Sequence, residues 1–245
     1  MKNYYQNIIY ISLLFIVIDL IRRNYLKNFW TRIKTEFKWK NLKWIILFLI
    51  GLAFFFYFID LPLLSSIQKI TNGPVKRILH YLNIFGDGRV LFPFLFIIYL
   101  SALFFDQPKL RHLISIAILS ALLAGLVGQV IKIITARTRP YAEMDPLQFF
   151  NYKIIYLKSK YFSPTFKSFP SGHTTNAFSF MIPFILYFKN KMIRMLLVIV
   201  PVLTGIARIY YSKHWPSDVV FGAFLGIYIG MILYMNNRSR LGEKI

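Results

Sequence analysis

Cysteine is missing from all 245 positions. Disulfides, thiolate catalysis and Cys-ligated metals are therefore excluded. Charge is scarce as well. Asp, Glu, Lys and Arg make up 16% of the chain, against about 25% in a soluble domain. Acids are rarer still, 9 against 30 bases, and the formal net charge is +21. No small-residue cleavage site follows the first apolar run, so a cleaved signal peptide is not expected. Turn signals at regular ten-residue spacing, the mark of a membrane β-barrel, are lacking too.

What fills the chain instead is apolar: 57% hydrophobic and 18% aromatic residues. One water-facing core cannot bury that much. The apolar residues also come in long runs, so the expected fold is all-α, a polytopic membrane helical bundle. Six core transmembrane helices are expected at Trp44–Ile59, Val90–Phe105, Leu113–Ile134, Thr174–Phe188, Met192–Ala207 and Val219–Tyr234. Several fall short of the roughly 20 residues of a straight span. Flanking aromatics and snorkelling Lys or Arg can complete them.

A seventh run, Ile8–Ile21, is shorter and is interrupted by Asp19. It either spans or lies in the interface. The stretch after it mixes Arg22, Arg23, Lys27 and Arg32 with Phe29 and Trp30. Two readings stand for it: a helix lying on anionic lipid, or a positive-inside cytoplasmic segment. The expected organisation is an N-terminal membrane-associated basic segment (1–43), a six-helix domain (44–235) and a basic tail (236–245). Six spans alternate the loops between two faces. Face one carries the 22–43 segment, the 106–112 loop, the 189–194 loop and the tail, all short and basic. The positive-inside rule makes that face cytoplasmic. Face two carries 60–89, the long 135–172 loop and 208–218.

Ionisable residues collect where spans reach face two. The third span ends in "KIITARTRP", with Lys132 and Arg139. The fourth begins at "PSGH", with Ser171, Gly172 and His173. The fifth ends in "ARIYYSKHWPSD", with Arg208, His214 and Asp218. Ionisable groups at membrane depth are functional by default. Spacing strengthens the case. Asp218, Gly222, Gly226 and Gly230 recur every four residues, a small-residue face that allows close packing. Pro216 marks the first turn of that helix, so His214 is expected just outside it. Ala124, Gly128 and Lys132 share a face in the same way. Two inward faces therefore lead to one polar patch.

Lys132, Arg139 and Arg208 supply cations, Ser171 a hydroxyl, and the helix start at Gly172 backbone donors. That set suits a multiply charged tetrahedral oxyanion, phosphate above all. Two histidines suit phosphoryl transfer: one attacks phosphorus while Asp218 holds its other ring nitrogen, and one protonates the leaving oxygen. The cations neutralise the transition state, so no metal or other cofactor is expected. Residue types alone leave open which histidine attacks.

These three motifs resemble the signatures of the type 2 phosphatidic acid phosphatase family. That family includes bacterial lipid A phosphatases, undecaprenyl diphosphate phosphatases and, more distantly, vanadium haloperoxidases. The resemblance covers roughly 113–235, in the right order. One departure is Ala207, where the family usually has serine before the arginine. The resemblance implies His214 as nucleophile forming a phosphohistidine, Asp218 as its orienting partner and His173 as acid for the leaving group. Lys132, Arg139, Ser171, Gly172 and Arg208 would hold the phosphate.

The expected activity is thus metal-independent hydrolysis of a lipid phosphate monoester or diphosphate at an outward-facing site. Size, the basic N-terminal segment and the cationic rim resemble the lipid A 1-phosphatase branch. Undecaprenyl diphosphate and phosphatidylglycerophosphate are the alternatives, and an anionic-lipid transporter is the rival of a different class. The expected place is a bacterial inner membrane with a periplasmic site. The partners are the lipid bilayer, anionic headgroups and a phosphorylated lipid, with no nucleic acid. In the loop Tyr141–Phe169, aromatics interleave with Lys153, Lys158, Lys160 and Lys167. Nucleic-acid binders share that composition, but a position between two motifs favours recruitment of anionic lipid. His80 and His112 read as capping or interfacial residues. Arg137 reads as solvated, on lipid phosphate, or catalytic. "GDG" (Gly86–Gly88) reads as the loop into the second span or as a lid.

Overall fold

The structure, a computed structural model, describes residues 42–69, 73–84, 86–143, 145–149 and 164–242, with Ile18, 24–27, Phe29, Thr31 and Ile33. Among the described residues the fold is all-α, with no strand. Most of the Ile8–Ile21 run, most of the basic segment after it and the middle of the 141–169 loop lie outside them.

The run expected at Trp44–Ile59 forms helix α1 (Leu42–Phe54), a π-helical turn (Phe55–Ile59) and helix α2 (Asp60–Gln68). The run was expected to end at Ile59. It continues because Asp60 is not at the surface: it is 1% exposed and ion-paired inside the bundle. Pro62 falls in the first turn of α2, where its missing N–H costs little. The next element is a second correction. The segment 60–89, expected as a loop, holds helix α3 (Gly73–Ile84). Lys76, Arg77 and His80 break its apolar run and stay exposed, while Leu79 turns inward. Such an amphipathic helix gives no long hydrophobic window. It packs on the fifth-span helix, α7 (Lys191–Tyr210).

The other elements are α4 (Gly88–Phe104), α5 (Pro108–Thr135), α6 (Gly172–Tyr187) and α8 (Pro216–Asn237). Pro108 opens α5, and Ala136 ends it in a left-handed conformation, φ 41°. At 28 residues α5 is about 42 Å long, enough to cross a bilayer. Asn190 caps α7 by accepting from the N–H groups of Met192 and Ile193.

Helix α6 is central, packed by α5, α7 and α8. The glycine face of α8 explains how closely α6 and α8 approach. A Cβ on Gly226 would stand 2.5 Å from the Thr175 carbonyl oxygen, and one on Gly230 2.9 Å from that of Ser179. The stripe is therefore used within the chain. The largest apolar core gathers Leu113, Ile116, Ala124, Phe180, Ile229 and Leu233. Outward faces stay apolar, as in Leu47, Ile50, Phe58, Ile97 and Leu196. That is the surface an integral membrane protein presents to lipid. Four segments have the length and composition to cross a membrane: Ile46–Gln68, Pro108–Ala142, Lys191–Tyr210 and Pro216–Leu241.

Part of the N-terminal basic segment is seated on protein. Tyr25 and Phe29 join the main core. The Tyr25 hydroxyl pairs with His112 Nδ1, and its carbonyl accepts from the amide groups of Asn236 and Asn237. His112 is thereby a structural residue. His80 is exposed and packs edge-on against Tyr81.

Candidate functional site

Three helix ends meet at one place. Helix α5 stops at Thr135, and the chain runs extended through Arg137, Thr138 and Arg139. The long loop returns alongside. Thr138 N–H donates to the Gln148 carbonyl, Arg139 N–H to that of Thr165, and Ser168 N–H to that of Arg137. Both ends of the loop are thus pinned to the residues that follow α5. Helix α6 then starts at Gly172 with Ser171 as its N-cap residue. The Phe169–Pro170 bond before it is cis.

Helix α8 delivers Asp218 to the same spot. His214 lies just outside that helix, whose N-cap is Trp215. His214 Nδ1 is 3.5 Å from Asp218 Oδ2, and both side chains are buried. Trp215 N–H and the Ser168 hydroxyl donate to the same carboxylate oxygen. Ser171 N–H donates to the Asp218 carbonyl, 3.0 Å, which ties the start of α6 to the start of α8. Gly222 permits that contact. A Cβ there would sit 2.8 Å from the Ser171 carbonyl oxygen.

Lys132 points across the start of α6. Its Nζ is 3.2 Å from where a Gly172 Cβ would be, so a side chain there would press on the ammonium. Arg139, Arg208, Lys167 and Asp218 are all within electrostatic reach of Lys132. Arg208, Lys132 and Arg139 likewise act on His173. The structure therefore brings together all eight residues singled out in the sequence: Lys132, Arg139, Ser171, Gly172, His173, Arg208, His214 and Asp218. Two details differ from expectation. The Ser171 N–H is spent on Asp218, and its hydroxyl pairs with Thr174 Oγ1 at 2.8 Å. The backbone donors left for an anion are those of the first turn, at Gly172 and His173.

The charge balance is lopsided. Lys132, Arg139 and Arg208 converge on the pocket; Asp87 acts on Arg208 and His173, and no ion pair among the described residues reaches Lys132. Arg139 Nε is buried without a hydrogen-bond partner, and so is His214 Nδ1. Such a cluster is costly unless an anion joins it. Burial holds His214 well below the ordinary histidine value of 6.5, and Lys132 and Arg139 push the same way, against the pull of Asp218. Its imidazole is therefore neutral at physiological pH, with a lone pair to offer.

Other residues were not foreseen. Arg137 is neither solvated, nor on lipid phosphate, nor in the pocket. It is 0% exposed and bonds to Asp60, Ser217, Asp218 and the Pro146 carbonyl. Phe56 and Phe149 cover its guanidinium at 4.7 and 4.8 Å. Asp60 had a signal that went unused, a lone carboxylate inside an apolar run. Ser168 had none beyond its place next to "FPSGH". The Gly86–Gly88 turn packs on the site, since a Cβ on Gly86 would lie 2.6 Å from His173 Cβ.

The chain belongs to the PAP2 superfamily, which matches residues 113–240. In three dimensions it is similar to the crystal structure of Aquifex aeolicus LpxE, with a TM-score of 0.56 and 25% identity over 73% of this chain and 96% of that one. In sequence it is similar to an undecaprenyl-diphosphatase of Sulfolobus acidocaldarius, 26% identical over 71% of this chain and 76% of the relative. It is also similar to a lipid A 1-phosphatase of Rhizobium johnstonii, 25% identical over 65% and 67%.

Proposed function

We propose that this protein, a membrane lipid phosphatase of the PAP2 superfamily, hydrolyses a phosphate monoester or diphosphate on a lipid headgroup through a phosphohistidine. The observation that carries the reading is the convergence of Lys132, Arg139 and Arg208 on a neutral, buried His214 backed by Asp218.

The proposed chemistry has two halves. The phosphate sits among the three cations and the first-turn N–H groups of α6. His214 Nε2 attacks phosphorus, forming an N–P bond as the P–O bond to the lipid breaks. Asp218 takes the hydrogen bond from Nδ1–H, fixing the tautomer and stabilising the charge that develops on the ring. Its present 3.5 Å separation is one that tightens in a reacting complex. His173 must enter this step as the imidazolium, made favourable by the bound phosphate's negative charge; it gives its proton to the departing lipid oxygen and is left neutral. In the second half it takes a proton from water, whose oxygen attacks the phosphohistidine and releases inorganic phosphate. The cations hold the equatorial oxygens throughout and supply the neutralisation that phosphoryl transfer needs. The reaction is accordingly proposed to need no added metal.

Lipid A 1-phosphate is the proposed substrate, supported by the similarity to a lipid A 1-phosphatase of Rhizobium johnstonii. The similarity to an undecaprenyl-diphosphatase supports the second reading, a lipid diphosphate, and phosphatidylglycerophosphate is a third. We place the six-helix domain at 44–235, with the helices α4 and α6 as the two spans too short to qualify by length. The segment 22–43 and the tail 236–245 are proposed to flank it on the cytoplasmic side of a bacterial inner membrane, with the site opening to the periplasm.

The test is phosphate release by the purified protein from lipid A, undecaprenyl diphosphate and phosphatidylglycerophosphate in detergent with a chelator. Release is expected from wild type, with none from His214→Ala. Lipid transport that survives His214→Ala, with no phosphate released by wild type, would replace the enzyme with a transporter.

A further inference from the structure

Resting on that reading, the mechanism uses Asp218 but does not say what holds Asp218. A carboxylate can rotate, and only one of its edges can serve His214. We propose that Asp60 and Arg137 are positioning residues that lock the Asp218 carboxylate on His214 and set how much of its charge the histidine feels.

The geometry is a closed chain of contacts. Asp218 Oδ2 faces His214 Nδ1 and accepts from Ser168 and Trp215. Asp218 Oδ1 accepts from Arg137 Nη1. With both oxygens committed, the carboxylate cannot turn. Arg137 is immobilised in its turn. Its Nε and Nη2 donate to the Pro146 carbonyl at 2.9 and 2.8 Å, Nη1 to Ser217 Oγ at 2.7 Å, and Nη2 to Asp60 Oδ2 at 2.6 Å. Asp60 closes the chain on α8. It accepts from Ser217 N–H at 2.8 Å and from Ser217 Oγ at 2.6 Å, one residue before Asp218. Asp60 lies on α2, outside the residues that match the family.

Charge adds a second effect. Arg137 is shared by two buried carboxylates. Its attraction is divided, so Asp218 keeps more of its negative charge for the imidazole. Without Asp60 the guanidinium falls wholly on Asp218, and the ring that must become cationic during attack loses support. A merely structural triad would share this geometry, because buried charge clusters also join elements of a fold. The two roles differ in kinetics. A staple changes how much protein is folded; a positioning group changes kcat of the folded protein and leaves KM alone.

The experiment measures kcat, KM, thermal midpoint and the rate of phosphoenzyme formation for full-length protein in detergent. The probe is whichever of the three lipids wild type hydrolyses fastest. Asp60→Asn is expected to bind substrate with KM within about twofold of wild type and to lose kcat by about tenfold to a hundredfold, the scale seen when the partner of a functional ligand is removed. Phosphoenzyme formation slows equally. Arg137→Gln strands two carboxylates together and is expected to unfold. Asp60→Asn/Arg137→Gln removes one charge of each sign, keeps the buried sum unchanged and serves as the folded control; its kcat is expected to stay at least about tenfold low. Wild-type kcat in either folded variant, or a defect carried by KM alone, overturns the proposal. If wild type releases no phosphate from any of the lipids, the phosphatase reading fails, and the positioning role with it.

Discussion

In the proposed mechanism His214 has to be neutral to attack phosphorus, and its surroundings keep it so. Burial is the first cause, and the Lys132 and Arg139 charges add to it. This has a cost that shows in stability. Below pH 6.5 the unfolded chain protonates this residue while the folded one resists, so the unfolded state binds more protons. Stability from this residue is therefore present above pH 6.5 and lost as the pH falls below it. His214→Gln is expected to flatten that dependence: its thermal midpoint should drop less between pH 7 and pH 5 than that of wild type. His173 has a different signature, because its proposed work is on the leaving oxygen. His173→Ala should slow phosphoenzyme formation most for substrates with poor leaving groups and least for activated aryl phosphates. Equal losses across a leaving-group series would remove the acid role.

Among elements, the contact between α6 and α8 controls the site most directly. The turn that presents Gly172 and His173 rests on the first turns of α8 through Ser171 and Gly222. Gly222→Ala puts a methyl 2.8 Å from a backbone oxygen that cannot yield without moving the turn that starts α6. Overpacking of this kind costs about 1–3 kcal/mol, and here it should also lower kcat. Gly51→Ala is the contrast, since nothing stands within 4 Å of its added Cβ. Measuring the thermal midpoint and phosphate release for the pair separates a general helix effect from this contact. The elements also show why some expectations missed. The run expected to end at Ile59 continues through a carboxylate, which is expensive in lipid. Asp60 escapes that cost by facing Arg137, 77 residues away in the chain. Helix α3 was missed for the opposite reason: its charges are real surface charges, and they hid a short amphipathic helix inside an expected loop.

At the scale of the whole molecule, the net charge of +21 is spread over both faces. We ascribe the face-two excess to capture of an anionic lipid. Replacing Lys153, Lys158, Lys160 and Lys167 with glutamine should raise KM for a lipid with several phosphates and leave kcat near wild type. An unchanged KM in anionic mixed micelles would sink that idea. The sequence by itself determined the class of fold and named the residues that converge at the candidate site, because both are written in local signals. Long apolar runs can only be satisfied by helices in lipid, and three short motifs at span ends name the residues that meet. What only the tertiary structure decided is how the meeting is held. Arg137 could not be assigned from its neighbours, because its partners Asp60, Ser217 and Asp218 come from two other helices. Hydrogen-bond direction, burial and shared charge are properties of groups brought together by folding, and no local pattern along the chain encodes them.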